Sequence, residues 1–354
     1  MENFDNTFIK KISFGSKGSE LRFVTIRDGN ILNIAQHAKN LNGLGKVINS
    51  EIYGNANLDI SEFPDVGLSS FIGTQNDANF YRGIQSYVLS GIDAKDVFLD
   101  GKNAGVFYED EYAQYALIGG LLAKDTKVSR DIQTLDVFEQ MQEALQSVGM
   151  DFSNVGRTWF YNDDILDWYD VFNRARDKFF IKNEVFDNLV PASTGVGSRN
   201  RKGSALMARV FAVKPKDSRV SFKVVPSPMQ CPAPDYRSSF SRAVELEHPN
   251  FRHLLVSGTA SIEQGGATAF VGDIDKQIGL TLDVIEAILK SRDMDWNDSL
   301  RVVAYLKDFS YEQNFLKICK KRGLENMPWI WVQSDVCRDD LLFEIELDAA
   351  VSVK

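Results

Sequence analysis

The stretch MDFSNVGRTWFYNDDI (150–165) recurs as MDWNDSLRVVAYLKDF (294–309), and this recurrence sets the architecture. At a constant offset of 144 (294 − 150), Met150, Asp151, Arg157, Tyr161 and Asp164 match Met294, Asp295, Arg301, Tyr305 and Asp308. Phe152 meets Trp296. The offset holds upstream without a gap, from Gln133 to Gln277 and from Leu145 to Leu289. Self-similarity at a fixed period marks a duplicated structural unit.

Outward from this stretch, both copies show the same order of elements. Ile132, Leu135, Phe138, Met141, Leu145 and Val148 recur at helical spacing, as do Ile274, Ile278, Leu282, Ile285 and Leu289. Each helix leads through a polar turn into a strand, VGRTWFY or SLRVVAYL, and each follows a glycine-ended strand, QYALIGG (114–120) or HLLVSG (253–258). VPASTGVG (190–197) pairs with MPWIWVQS (327–334) at an offset of 137, counted from Pro191 to Pro328. That offset sets SALMARVFAV (204–213) against LLFEIELDAA (341–350).

The pattern predicts an α+β fold of two tandem, pseudo-symmetric units, each a mixed β-sheet with helices packed on one face. The units are 1–216, a domain with an elaborated N-terminal part, and 217–354. Residues 1–110 add strand-like pieces (ELRFVTI, SSFIGT, SYVLSG). These form either a degenerate third unit or an elaborated sheet edge.

Composition narrows the function. The chain has 354 residues and a formal net charge of −9, which argues against a nucleic-acid partner. Cys231, Cys319 and Cys337 are far apart and form no CxxC pair, so neither a zinc site nor a disulfide framework is expected. That usage fits a reducing, cytoplasmic setting. Only His37, His248 and His253 are present, too few for a multi-histidine metal centre. The start, MENFDNTFIKK, has no apolar signal core, and no apolar run is long enough to span a membrane.

The last strand poses the functional question. Alternation in LLFEIEL (341–347) puts Phe343, Ile345 and Leu347 on one face and Glu344 and Glu346 on the other. A half-exposed edge strand explains the two acids; so does an acid held in a cleft. The counterpart ALMARV carries Met207 and Arg209 at those places, so the strand itself does not demand glutamate.

FSRAVELEHPNFRHLLVSGTASI (240–262), the helix and strand of 272–308, and LLFEIE resemble the Rid family, also called YjgF or endoribonuclease L-PSP. That likeness implies a family of small trimeric proteins with clefts between subunits. RTWFYNDDI (157–165), FNRARDKFF (172–180), PASTGVGSR (191–199), QCPAPDYRSSFSRA (230–243), SGTASI (257–262) and VCRDDLLFEIE (336–346), in this order, resemble the chorismatases, which cleave chorismate. The resemblance covers about residues 130–346.

Departures sharpen it. Rid imine deaminases hold the substrate carboxylate with an arginine two residues after a proline; here those places are Ser193 and Ile330. Neither side chain can clamp a carboxylate bidentately. An imine deaminase and a non-catalytic small-acid binding protein remain the alternatives to a chorismate-cleaving enzyme.

The resemblance implies release of pyruvate from chorismate, a dicarboxylate, by a glutamate general acid without a cofactor. Glu344 is the implied acid, and Cys337 stands where the family separates its subtypes. Cys337 resembles the subtype that makes 3-hydroxybenzoate, whereas Ala260 resembles the one that makes a dihydroxycyclohexadiene carboxylate. Arg157 and Tyr161, which share a strand face, Arg242 of the FSRA motif, Tyr236 and Ser193 are the implied substrate ligands. By analogy, fused units would let a monomer carry the whole cleft.

Overall fold

The computed structural model describes residues 6–15, 18–54, 68–73, 81–236 and 238–353. Three sheets follow one another along the chain. The first contains β1 (Thr7–Ser13), β2 (Glu20–Arg27), β3 (Lys46–Gly54), β4 (Leu68–Gly73) and β5 (Tyr81–Ser90), with α1 (Ile31–Leu41) after β2. The second contains β6 (Ala94–Leu99), β7 (Lys102–Glu109), β8 (Ala113–Leu122), β9 (Val155–Asn162), β10 (Ala192–Gly197) and β11 (Leu206–Pro215). Its helices are α2 (Arg130–Gln146) and α3 (Tyr169–Lys182). The third contains β12 (Ser221–Val225), β13 (Ala243–His248), β14 (Phe251–Ala260), β15 (Ser299–Leu306), β16 (Trp329–Gln333) and β17 (Phe343–Ser352), with α4 (Ile274–Lys290) and α5 (Glu312–Arg322).

The sheet orders are β1-β2-β5-β3-β4, β10-β9-β11-β8-β7-β6 and β12-β13-β14-β17-β15-β16. In each sheet one parallel pair (β3/β4, β9/β10, β15/β16) borders a central strand that is antiparallel to both of its neighbours. The first sheet thus repeats the topology of the other two, the pattern expected of a third, divergent unit. Register gives the equivalences: Tyr53, Tyr161 and Tyr305 stand opposite Gly83, Met207 and Glu344.

The matching residues have matching work. Asp151 and Asp295 each accept a backbone N–H in a capping box at the turn after the helix. Gln133 Oε1 accepts from Ala205 N, and Gln277 Oε1 accepts from Leu342 N, both at 2.8 Å. Each buried glutamine thereby fastens its helix to the start of the last strand.

Period-2 alternation explains the layers. Phe343, Ile345 and Leu347 bury against Ile278, Leu282, Ile285 and Leu289 of α4. Full burial of each such side chain stabilises by roughly 1.5–3 kcal/mol. The opposite faces of all three sheets meet in a shared core with Tyr53, Trp159, Tyr161, Val303 and Tyr305. β17 is hydrogen-bonded on both sides, to β14 and β15, so Glu344 and Glu346 do not lie on an edge strand. Among the described residues no helix is long and apolar enough to cross a membrane.

Candidate active site

Glu344 lines a pocket between the second and third units. The second unit supplies Tyr169 and Arg176 from α3 and Ser193 and Gly195 from β10. The third supplies Gly258 and Ala260 from β14, Cys337, Arg338 and Glu344, and the segment before β13 supplies Ser238, Phe240 and Arg242.

Glu344 is only 5% exposed. Burial is the main force that pushes its carboxyl up to about 8, and Glu346 adds to it against the pull of Arg157 and Arg242. A carboxyl with that value is protonated at neutral pH and still able to donate. Its strand neighbours are Ala260 on β14 and Tyr305 on β15. A methyl group on Gly258 would overlap the Glu344 carboxyl oxygen, so glycine here gives the acid its space.

Three arginines face the same pocket. Arg176 is buried, its Nη2 donates to Asn173 Oδ1 (2.8 Å), and its Nε has no hydrogen-bond partner among the described residues. Arg242 Nε donates to the Cys231 carbonyl (3.0 Å), and Arg338 Nη1 donates to the Gly266 carbonyl (2.7 Å). The carbonyl contacts orient the Arg242 and Arg338 guanidiniums. Cys337 is a neutral thiol: burial, then the Glu344 charge, pushes it up to about 12. It is a poor nucleophile at neutral pH.

The expected ligands divide. Glu344, Cys337, Ser193, Ala260 and Arg242 converge on the pocket. Tyr236 ends a 3-10 turn (Ala233–Tyr236), and its side chain lies outside the described residues. Arg157 and Tyr161 are corrected: neither is among the residues lining this pocket, and both belong to the core between the sheets. Arg157 Nη2 donates to Thr194 Oγ1 (2.6 Å) and Glu346 Oε2 (3.0 Å). The Tyr161 hydroxyl donates to Glu51 Oε1 (2.8 Å).

Two arginines were missed. Arg338 is followed by Asp339 and Asp340, acids that engage Lys307 and Thr268 instead. Arg176 sat in FNRARDKFF with a legible signal: Phe172, Arg176 and Phe180 are four apart, which puts a cation on the apolar helix face.

No protein-family model matches the chain. A 3-hydroxybenzoate synthase of Streptomyces hygroscopicus is 26% identical over 273 residues, 70% of this chain and 76% of that protein. A crystal structure of a chorismatase superposes with a TM-score of 0.69 at 17% identity, over 95% of this chain and 100% of the other. Rv2704 of Mycobacterium tuberculosis, of the YjgF/YER057c/UK114 family, covers 37% of this chain and 100% of its own, at 25% identity and a TM-score of 0.29. The chain is thus similar in sequence to a 3-hydroxybenzoate synthase and has the fold of a chorismatase over nearly its whole length.

Proposed function

We propose that this chain is a chorismatase-like enzyme that cleaves the enol ether of chorismate and releases pyruvate, with Glu344 as general acid. One observation carries the reading: a carboxyl held at about 8 opens onto a pocket that three arginines also line.

Cleaving an enol ether starts with a proton delivered to the terminal methylene carbon. Protonation of carbon is slow and needs a positioned acid whose pKa lies near the working pH. Glu344 meets both conditions, and its carboxylate then faces the oxocarbenium ion it has made. Arg176, Arg242 and Arg338 are the groups that oppose the two substrate carboxylates.

We favour 3-hydroxybenzoate as the aromatic product. Chorismate equals pyruvate plus 3-hydroxybenzoate with no water consumed, whereas the dihydroxycyclohexadiene carboxylate requires one water. Cys337 beside the acid supports the former, as does the name of the Streptomyces relative. Ala260 on the neighbouring strand is the cue for the latter.

The test is incubation with chorismate, pyruvate being read by a coupled lactate dehydrogenase assay and the ring product by chromatography. Pyruvate formed with 3-hydroxybenzoate supports the reading. Folded protein that releases no pyruvate overturns it.

A further inference from the structure

Behind Glu344, the core between the sheets holds a set of buried charges that pocket chemistry does not use. Three guanidiniums, Arg157, Arg209 and Arg301, meet three carboxylates, Glu51, Glu346 and Asp348. Arg301 Nη2 donates to Glu346 Oε1 at 2.5 Å and to Glu51 Oε2 at 3.3 Å. Arg209 lies 2.9 Å from Glu51, and Arg301 lies 3.7 Å from Asp348, whose other oxygen is 3.8 Å from His253. The set balances without Glu344, to which no ion pair reaches among the described residues.

Arg157 and Arg301 are repeat equivalents, and both converge on Glu346. The Thr194 hydroxyl also bonds Glu346, accepts from Arg157, and accepts from Gly258 N at 3.0 Å, next to the Glu344 carboxyl. Against the cost of burial, Arg301 and then Arg157 hold Glu346 below the usual carboxylate range. Glu346 shares the Glu344 strand face, about 6.6 Å away at a rise of 3.3 Å per residue.

We propose that Glu346, locked ionised by Arg157 and Arg301, is a positioning residue that holds a fixed negative charge beside Glu344 and so keeps that carboxyl protonated until it donates. The inference rests on Glu344 being the acid of the proposed reaction. The other groups around Glu344 are Tyr305 on β15, Tyr169 and Arg176 on α3, Arg242, Cys337 and Arg338. Burial keeps the Tyr305 hydroxyl neutral, and burial likewise keeps the Cys337 thiol neutral. Arg157 and Arg242 pull Glu344 toward ionisation, and Glu346 is the charge that opposes them.

The test reads protonation directly. The infrared carboxyl band that is present in the wild type and missing in Glu344→Gln is titrated in the full-length protein, with and without Glu346→Gln. Removing the fixed charge should lower the Glu344 midpoint by about one to two units, as for a unit charge at this distance in a partly buried site. Glu346→Asp, which keeps the charge, should restore most of it. If Glu346→Gln does not fold, the wild type and Glu346→Asp decide, both keeping the midpoint well above the ordinary glutamate value. A wild-type midpoint at the ordinary glutamate value, or an unchanged midpoint in a folded variant, overturns the proposal. The infrared titration needs no substrate, so absence of chorismate turnover, which sinks the proposed function, leaves this result legible. Where turnover occurs, the high-pH limb of kcat/KM should shift with the band; a purely structural role would lower the rate at every pH without moving the limb.

Discussion

Met207 and Glu344 occupy the same place in two copies of one strand: Met207 stands opposite Tyr161 as Glu344 stands opposite Tyr305. The fold is therefore satisfied by a neutral side chain there, and the acid is an addition. Glu344→Gln should keep the fold and lower kcat/KM for chorismate by about 10²–10⁴-fold, the usual contribution of a positioned general acid. Pyruvate release and a thermal melt check both halves. In the wild type, activity should hold below pH 8 and fall as pH rises through about 8, where the acid loses its proton.

The same carboxyl should cost stability. Its folded value of about 8 lies above the ordinary 4.5, so between those pH values the folded state binds more protons than the unfolded chain. Stability is then greatest below the unfolded value and declines as pH rises toward the folded one, at up to about 1.4 kcal/mol per unit. Glu344→Gln should remove that decline and be more stable than the wild type at pH 8. Urea unfolding at pH 5 and pH 8 measures it; equal slopes in the two proteins would contradict the raised value.

Gly258→Ala probes the space the acid occupies. The added methyl meets the Glu344 carboxyl oxygen rather than backbone, so the side chain should swing aside while the sheet survives. A small displacement of a catalytic group can cost about 10²-fold in rate. We expect that loss in kcat with a melting temperature close to the wild type, and a fully active variant would show that the carboxyl works from elsewhere.

The repeat made much of this legible. Asp151/Asp295 and Gln133/Gln277 match because their caps and helix-to-strand fasteners are local demands that both copies share. The third unit was undecided because topology persists after such identities are lost: Gly83 and Gln85 stand where the other copies have Met207, Arg209 and Glu344, Glu346. Arg157 and Tyr161 were placed on the correct strand face, but alternation cannot tell a shared core from a cleft mouth. Which part of that face is open depends on how three sheets meet, and that is a tertiary fact. Arg338 was hidden by the acids that follow it, whose partners lie in other segments.

Cys337→Ala should change the product more than the rate. The thiol is half-buried beside Glu344 and lines the pocket, yet it is neutral and is not needed to deliver the first proton. Pyruvate release should persist within about tenfold, the change expected when a group outside the proton transfer is lost at about 1.4 kcal/mol. The ring product should shift from 3-hydroxybenzoate toward the dihydroxycyclohexadiene carboxylate. Chromatography of both products at matched pyruvate release decides; an unchanged ratio would leave Cys337 as packing alone.

Arg176→Met separates substrate binding from chemistry. Arg176 is buried on the apolar face of α3, and a methionine fills comparable apolar space while removing the charge. Its role in the proposed reaction is to hold a carboxylate in both the ground and the transition state, so KM should rise with little change in kcat. A charge-assisted hydrogen bond contributes about 1.5–3 kcal/mol, which corresponds to roughly 10–100-fold in KM. Steady-state kinetics with chorismate resolve the two constants. A fall in kcat at constant KM would move Arg176 from holding the substrate to stabilising the oxocarbenium step, and an unchanged KM and kcat would remove it from the site.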